Sequence, residues 1–177
     1  MRLLSIIFIG FSWFFLMGNS ASFAEAGNNN KIDEQLLIGS WYMPEPFVHL
    51  EEGITISLTD AKVSFLKDDR STGSTSMHFV AGNGIAAMRQ NGISLTYHIA
   101  AITNWSHDAG VITDTLTQIT ITPEQPNAIS RGVAASLAAA MRSEPPSKYE
   151  VILLSKTDLQ LKDIKTGLVM EYTRVVD

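Results

Sequence analysis

Ser106-His107-Asp108 spells out the side chains of a nucleophilic triad, and four histidines (His49, His78, His98, His107) are candidate metal ligands. Neither set has the arrangement its chemistry requires. A working triad converges in space from separated positions, whereas three contiguous residues project in different directions. HDAG at 107–110 instead has the composition of a hairpin turn. The histidines show no His-x-His or His-x-x-x-His spacing, and the chain has no cysteine to complete a zinc site. Glu51-Glu52 and Asp68-Asp69 offer hard oxygen ligands, but adjacent acids beside turn residues read as solvated surface. The Asn104-Trp105-Ser106 sequon matters only in a eukaryotic secretory route. No glycine-rich phosphate loop follows a strand and opens a helix. Read this way, the chain is not an enzyme and carries no catalytic residue, no metal site and no cofactor.

Any such residues must be positioned by the elements around them, beginning with the N-terminus. Residues 1–26 read as a signal peptide: Arg2 supplies a minimal positive region, Leu3 to Met17 is apolar, and NSASFAEA offers cleavage after Ala24 or Ala26. The apolar stretch is short for a span of roughly 20 residues, so no stable membrane span is expected after cleavage. Residues 27–35, with GNNN at 27–30, read as a flexible segment, and 36–177 as one domain. An exported chain with no cysteine relies on a packed core, which suits a bacterial periplasm. It also has no residue for lipid attachment near the cleavage site. The expected location is periplasmic or secreted. With 13 basic and 18 acidic residues, net charge −5 and no basic run, nucleic acid is excluded as a partner.

From Leu36 onward, short alternating runs separated by turn residues predict an all-β domain. Ile54, Ile56 and Leu58 alternate with polar residues, and Val63 and Phe65 follow. DDRSTG at 68–73 and AGNG at 81–84 read as turns, with Met77 and Phe79 between them. Ile93, Leu95, Tyr97, Ile99, Ala101 and Trp105 share one parity, and 111–122 reads as the return strand after HDAG. The period then changes. Ile129, Val133, Leu137 and Met141 recur every four residues, predicting one short amphipathic helix capped by Asn127 and stopped by Pro145-Pro146. Three strands at 148–155, 158–163 and 167–175 close the chain. About eight antiparallel strands bury one apolar face most economically in a closed or partly open barrel. A two-sheet sandwich is the competing solution.

LIGSWY in the first strand, with Gly39 two residues before Trp41, resembles the Gly-x-Trp signature of lipocalins and of lipocalin-like barrels in bacterial envelopes. The ending EYTRVVD, with Arg174, is similar to the last strand of bacterial lipocalin-like domains. The resemblance implies that Trp41 plugs the closed end of a lipocalin-like barrel and that Arg174 lies across its indole. The residues themselves allow this, because inward parity at Trp41 and Arg174 would bring the two to the same barrel end. A glycine at 39 permits a sharp bend or the close approach of another backbone. The helix departs from the family pattern, since it precedes the last three strands instead of following the barrel.

Two functions are compatible with this reading, and the resemblance favours the first. One is an envelope protein binding a small hydrophobic or amphipathic ligand, with Ile56, Phe65, Met77, Phe79, Leu95, Tyr97, Ile99, Leu161, Met170 and Tyr172 as the candidate barrel lining. The other is a non-enzymatic accessory protein, its interior filled by those side chains and its surface meeting an envelope protein partner. Large lining residues favour filling, since an eight-strand barrel is just wide enough for side chains. Methionines favour an adaptable cavity.

Overall fold

A computed structural model describes residues 32–51, 53–82 and 84–176 of the chain. The 1–26 segment read as a signal peptide lies outside the described residues, as does most of 27–35. Within that second segment Ile32 is buried, and Glu34–Leu37 forms a one-turn helix, α1, capped by Asp33.

Nine strands follow in chain order: β1 (Gly39–Tyr42), β2 (Phe47–Glu51), β3 (Ile54–Phe65), β4 (Arg70–Gly82), β5 (Thr96–Asp108), β6 (Val111–Pro123), β7 (Ser147–Leu154), β8 (Asp158–Asp163) and β9 (Val169–Arg174). Helix α2 (Ile85–Gln90) lies between β4 and β5, and α3 (Ala128–Ser143) between β6 and β7. Every sequential pair from β2 to β9 is antiparallel, and β1 pairs with both β9 and β3. That double pairing closes an eight-stranded barrel and excludes the sandwich, leaving β2 as an extra strand. β1 and β2 share one edge of β3, β1 beside Lys62–Phe65 and β2 beside Ile54–Leu58. Pro44 and Pro46 lie between them, where a residue without a backbone N–H interrupts the ladder.

The inward parity of β3 changes along its length, from Ile56 and Leu58 to Val63 and Phe65. The ladder to β4 shifts register between Thr59 and Lys62, with Asp60 at φ 54°. A bulge inserts an unpaired residue and so swaps the faces. The predicted turn at 68–73 is shorter than its composition suggests. Arg70 already lies in β4, and Ser71 to Gly73 pair with β3 and β5. The 93–105 run also begins as a strand only at Thr96, because α2 and its exit occupy 85–95. The β5–β6 hairpin turns at Ala109-Gly110, φ 46° and 84°, the left-handed pair of a two-residue loop.

Helix α3 forms where its period requires it, with the Asn127 side chain accepting from the Ser130 amide at 2.8 Å. Its buried face is Ser130, Val133, Ala134, Leu137 and Ala138, an i, i+3, i+4 stripe. Ile129, expected on that stripe, is exposed instead. The helix lies on the barrel side of β6 beyond Asp114, where β7 no longer pairs. Arg142 donates to the Ile119 carbonyl on that stretch at 3.2 Å. Asn127→Ala removes the cap and the bond from its amide nitrogen to the Gly92 carbonyl. It is expected to lower unfolding free energy by about 1 kcal/mol in a urea titration.

The core has two parts. Helices α2 and α3 pack with Ile56, Met77, Phe79 and Tyr97 against the extended half of β3–β6. Leu37, Trp41, Phe65, Trp105, Ile112 and Leu159 fill the opposite end.

Candidate functional site

The second of these clusters is a floor. Trp41 is fully buried and donates its indole N–H to the Leu37 carbonyl at 2.9 Å. Arg174, its cross-strand partner on β9, stacks over the indole with its guanidinium carbon 4.3 Å from the ring centroid. The guanidinium also donates to the Ile38 carbonyl at 3.2 Å and to the Leu36 carbonyl. These are the last carbonyls of α1, which have no partner within so short a helix. Gly39 lies directly beneath, and a Cβ built there would sit 2.5 Å from the Arg174 Nη1. The close approach that the glycine permits is therefore made by a side chain, not by another backbone.

A partly open cavity of about 310 Å³ is bordered by residues of β2–β5 and β7–β9. Its apolar wall includes Phe47, Leu58, Val63, Ile99, Leu168 and Met170. The space arises from small inward residues on adjacent strands. Gly73 and Ala101 are cross-strand partners, and a Cβ at Gly73 would meet nothing nearer than 3.7 Å. Of the ten side chains expected to line the barrel, Ile99, Met170 and Tyr172 border this cavity. Ile56, Met77, Phe79 and Tyr97 pack beneath the helices, with Leu95 against them, and Phe65 and Leu161 belong to the floor cluster.

The cavity also has polar residues at inward positions. Tyr149 of β7 and Tyr172 of β9 border it, as do Asp163 and Thr166 at the β8–β9 turn. Asp163 accepts from the Thr166 amide at 2.7 Å and from its hydroxyl at 3.0 Å, so this acid holds its own turn. Directly below the Gly73–Ala101 rung, Ser71 and Thr103 share a hydrogen bond, and the Ser71 hydroxyl approaches the Asp114 carboxylate at 3.4 Å. Burial raises the Asp114 pKa, opposed in part by hydrogen bonds from Thr103 and Ser71. Burial also pushes the Tyr149 phenol up to about 12 and raises Tyr172 further, with the negative charge of Asp114 adding to both. A carboxyl whose pKa is raised by folding favours the fold while protonated. That contribution is lost as pH rises through the folded-state value, so ionised Asp114 weighs against stability at neutral pH.

Among the described residues Lys62 is the only basic one that borders the cavity, and its ammonium lies 6.0 Å from the Tyr42 ring centroid on the outer face. A wider depression of about 820 Å³ lies on that outer face, lined by Ser74, Ser76, Thr120 and Thr122 with His98. It is the more open of the two.

Ser106, His107 and Asp108 alternate across β5. His107 stacks on Trp105 and bonds Glu34 at 2.7 Å, while its two neighbours are exposed. Among the described residues no three His, Asp or Glu side chains cluster to hold a metal, and no helix is long and apolar enough to cross a membrane.

Sequence reasoning put Ala101 on an inward run and Ser71 and Gly73 in a turn, and assigned none of these, nor Tyr149, Thr103 or Asp114, to the site. One signal was present: Thr103 interrupts the apolar parity run between Ala101 and Trp105. No protein-family model matches this chain, and no curated protein matches it either.

Proposed function

We propose that this chain is an exported lipocalin-like protein that holds a small hydrophobic or amphipathic molecule in the cell envelope, acting by binding and not by catalysis. The observation that carries this reading is the cavity of about 310 Å³ above the Trp41–Arg174 floor. Its volume lies at the lower end of the range typical of small-molecule sites, and its wall is mostly apolar. A space of this size favours a held ligand over an interior filled by its own side chains. The Gly39, Trp41 and Arg174 arrangement supports the lipocalin-like reading, and the N-terminal pattern supports export to the periplasm or beyond. Native mass spectrometry of the mature protein purified from its own envelope is expected to show a reproducible small adduct. Phenylnaphthylamine, an apolar fluorophore whose aryl nitrogen stays uncharged at neutral pH, is expected to bind the adduct-free protein at one site with enhanced emission. A clean apo mass together with no fluorophore binding would overturn the reading.

A second reading rests on one feature of β2. Val48 and Leu50 on its outward face are 60% and 69% exposed, beside Val80 at 52%. β2 is also the end strand of the sheet, so among the described residues one of its edges has no strand beside it. Exposed apolar side chains on an open edge are features of protein-binding surfaces. An envelope protein partner at β2 is the alternative if the interior binds nothing.

A further inference from the structure

We propose that the cavity takes an uncharged apolar molecule with a carbonyl oxygen (a ketone, ester or amide), which accepts hydrogen bonds from the phenols of Tyr149 and Tyr172. The proposal rests on the carrier reading above and specifies its ligand class.

Three observations point to a carbonyl. First, both tyrosines line the cavity itself, from β7 and β9 on either side of β8. An inward side chain stands away from its sheet and leans along its strand, so the hydroxyl at its tip lies furthest from the wall. The Tyr172 phenol reaches the Met170 Sδ at 3.6 Å. Its ring therefore leans along β9 toward the Leu161–Met170 rung, in the direction of Tyr149, whose cross-strand partner is Asp163. Second, among the described residues neither phenolic hydrogen is spent on a strong acceptor. That of Tyr172 meets a thioether, which accepts weakly. A hydrogen bond with Ser147 opposes the burial shift of Tyr149, which makes the serine the donor and leaves the phenol its own hydrogen. Third, the other polar side chains of the wall are engaged elsewhere. The Thr166 hydroxyl donates to Asp163 and accepts from the Leu168 amide at 3.2 Å. Thr75 donates to the Thr59 carbonyl at 3.0 Å, and Ser74 is exposed on the outer face of β4.

The cavity thus presents two neutral donors on an apolar wall. Burial keeps both phenols protonated well above physiological pH, so each retains the hydrogen it would donate. A carbonyl oxygen has two lone pairs and no hydrogen of its own to place, which matches a pair of donors. A carboxylate would face Asp163, which also borders the cavity, while Lys62 points outward. An ammonium carries donors only and has no lone pair to offer the phenols. The remainder of a carbonyl ligand would lie against Leu58, Val63, Ile99 and Met170.

The test is competition of methyl nonyl ketone, decylamine and decanoate against bound phenylnaphthylamine at neutral pH, three probes with similar tails and different heads. The ketone is expected to compete most tightly. Tyr149→Phe and Tyr172→Phe should each weaken it about 2- to 10-fold, the range of one neutral hydrogen bond. Phenylnaphthylamine affinity should stay unchanged in both, which shows that each variant keeps its fold and its cavity. Tyr42→Phe removes a phenol from the outer face and is expected to leave the ketone's affinity as it was. Infrared spectroscopy supplies a readout that needs no variant. The carbonyl stretch of the bound ketone should lie below its value in hexane, and it should move back toward that value in both interior variants. Tighter competition by decylamine or decanoate, unchanged ketone affinity in both interior variants, or a hexane-like stretch in the wild-type complex would overturn the carbonyl assignment while the carrier reading stood. If phenylnaphthylamine does not bind the wild-type protein, the carrier reading fails and this inference fails with it.

Discussion

Gly39→Ala is expected to lose about 3 kcal/mol of unfolding free energy, a large share of the roughly 5–15 kcal/mol that holds a domain folded. Two independent costs meet at this residue. Its φ of 137° lies where an L side chain is strained, and holding one there costs about 1–3 kcal/mol. The added methyl would also sit 2.5 Å from the Arg174 Nη1. The guanidinium cannot retreat without leaving the Trp41 ring and the Leu36 and Ile38 carbonyls. Hydrogen bonds from a charged donor are worth about 1.5–3 kcal/mol each, and their loss uncovers carbonyls at the end of α1. Urea unfolding of Gly39→Ala, Arg174→Ala and the double variant checks this directly. If glycine serves the arginine, the double variant loses much less than the sum of the singles. A loss below about 0.5 kcal/mol in Gly39→Ala would mean that the floor does not depend on this contact.

Ala101→Phe is expected to abolish phenylnaphthylamine binding while the barrel stays folded. Ala101 projects inward on β5 beside Gly73, and the benzyl group would occupy the cavity that these two small residues leave. Filling a pre-existing space can stabilise by about 0.5–2 kcal/mol, and a poor fit costs about 1–3 kcal/mol. The fold is expected to tolerate either outcome. Ala100→Phe adds the same group one residue earlier, on the outer face where Ala100 is exposed, because strand side chains alternate. It is expected to leave binding within about twofold of wild type, a difference below about 0.5 kcal/mol. Gly73→Leu approaches the same space from β4, where the backbone accepts a side chain without a positive φ. Retained fluorophore affinity in both Ala101→Phe and Gly73→Leu would place the binding elsewhere.

Much of the architecture was legible because it is governed by local chemistry. Period-2 alternation marks the strands, the period of four marks α3, and Asn127 and Pro145-Pro146 bound it. Ala109-Gly110 turns the β5–β6 hairpin at the expected position. Gly39, Trp41 and Arg174 were identified as a set, and they meet. The misses are also local. α1 and α2 have four and six residues, too short for a periodicity to register. DDRSTG has turn composition through Gly73, yet its second half lies in a strand between β3 and β5, where pairing on both sides overrides local preference.

The site was much less legible. The amino-acid sequence by itself determined an all-β chain with one amphipathic helix and identified which side chains have inward parity. It could not sort those side chains into a floor, a helix-covered core and an empty space. That division depends on β7 pairing with β6 only as far as Asp114, so that α3 covers the remainder. The placing of Asp114 required the tertiary structure too. A register shift near Thr117 moves the inward set of β6 from Ile112 and Asp114 to Ile119 and Ile121, and three separate strands bring Ser71, Thr103 and Asp114 together. Alternation is a property of one strand, whereas a cavity is a property of the distances between strands, and only closure of the barrel sets those.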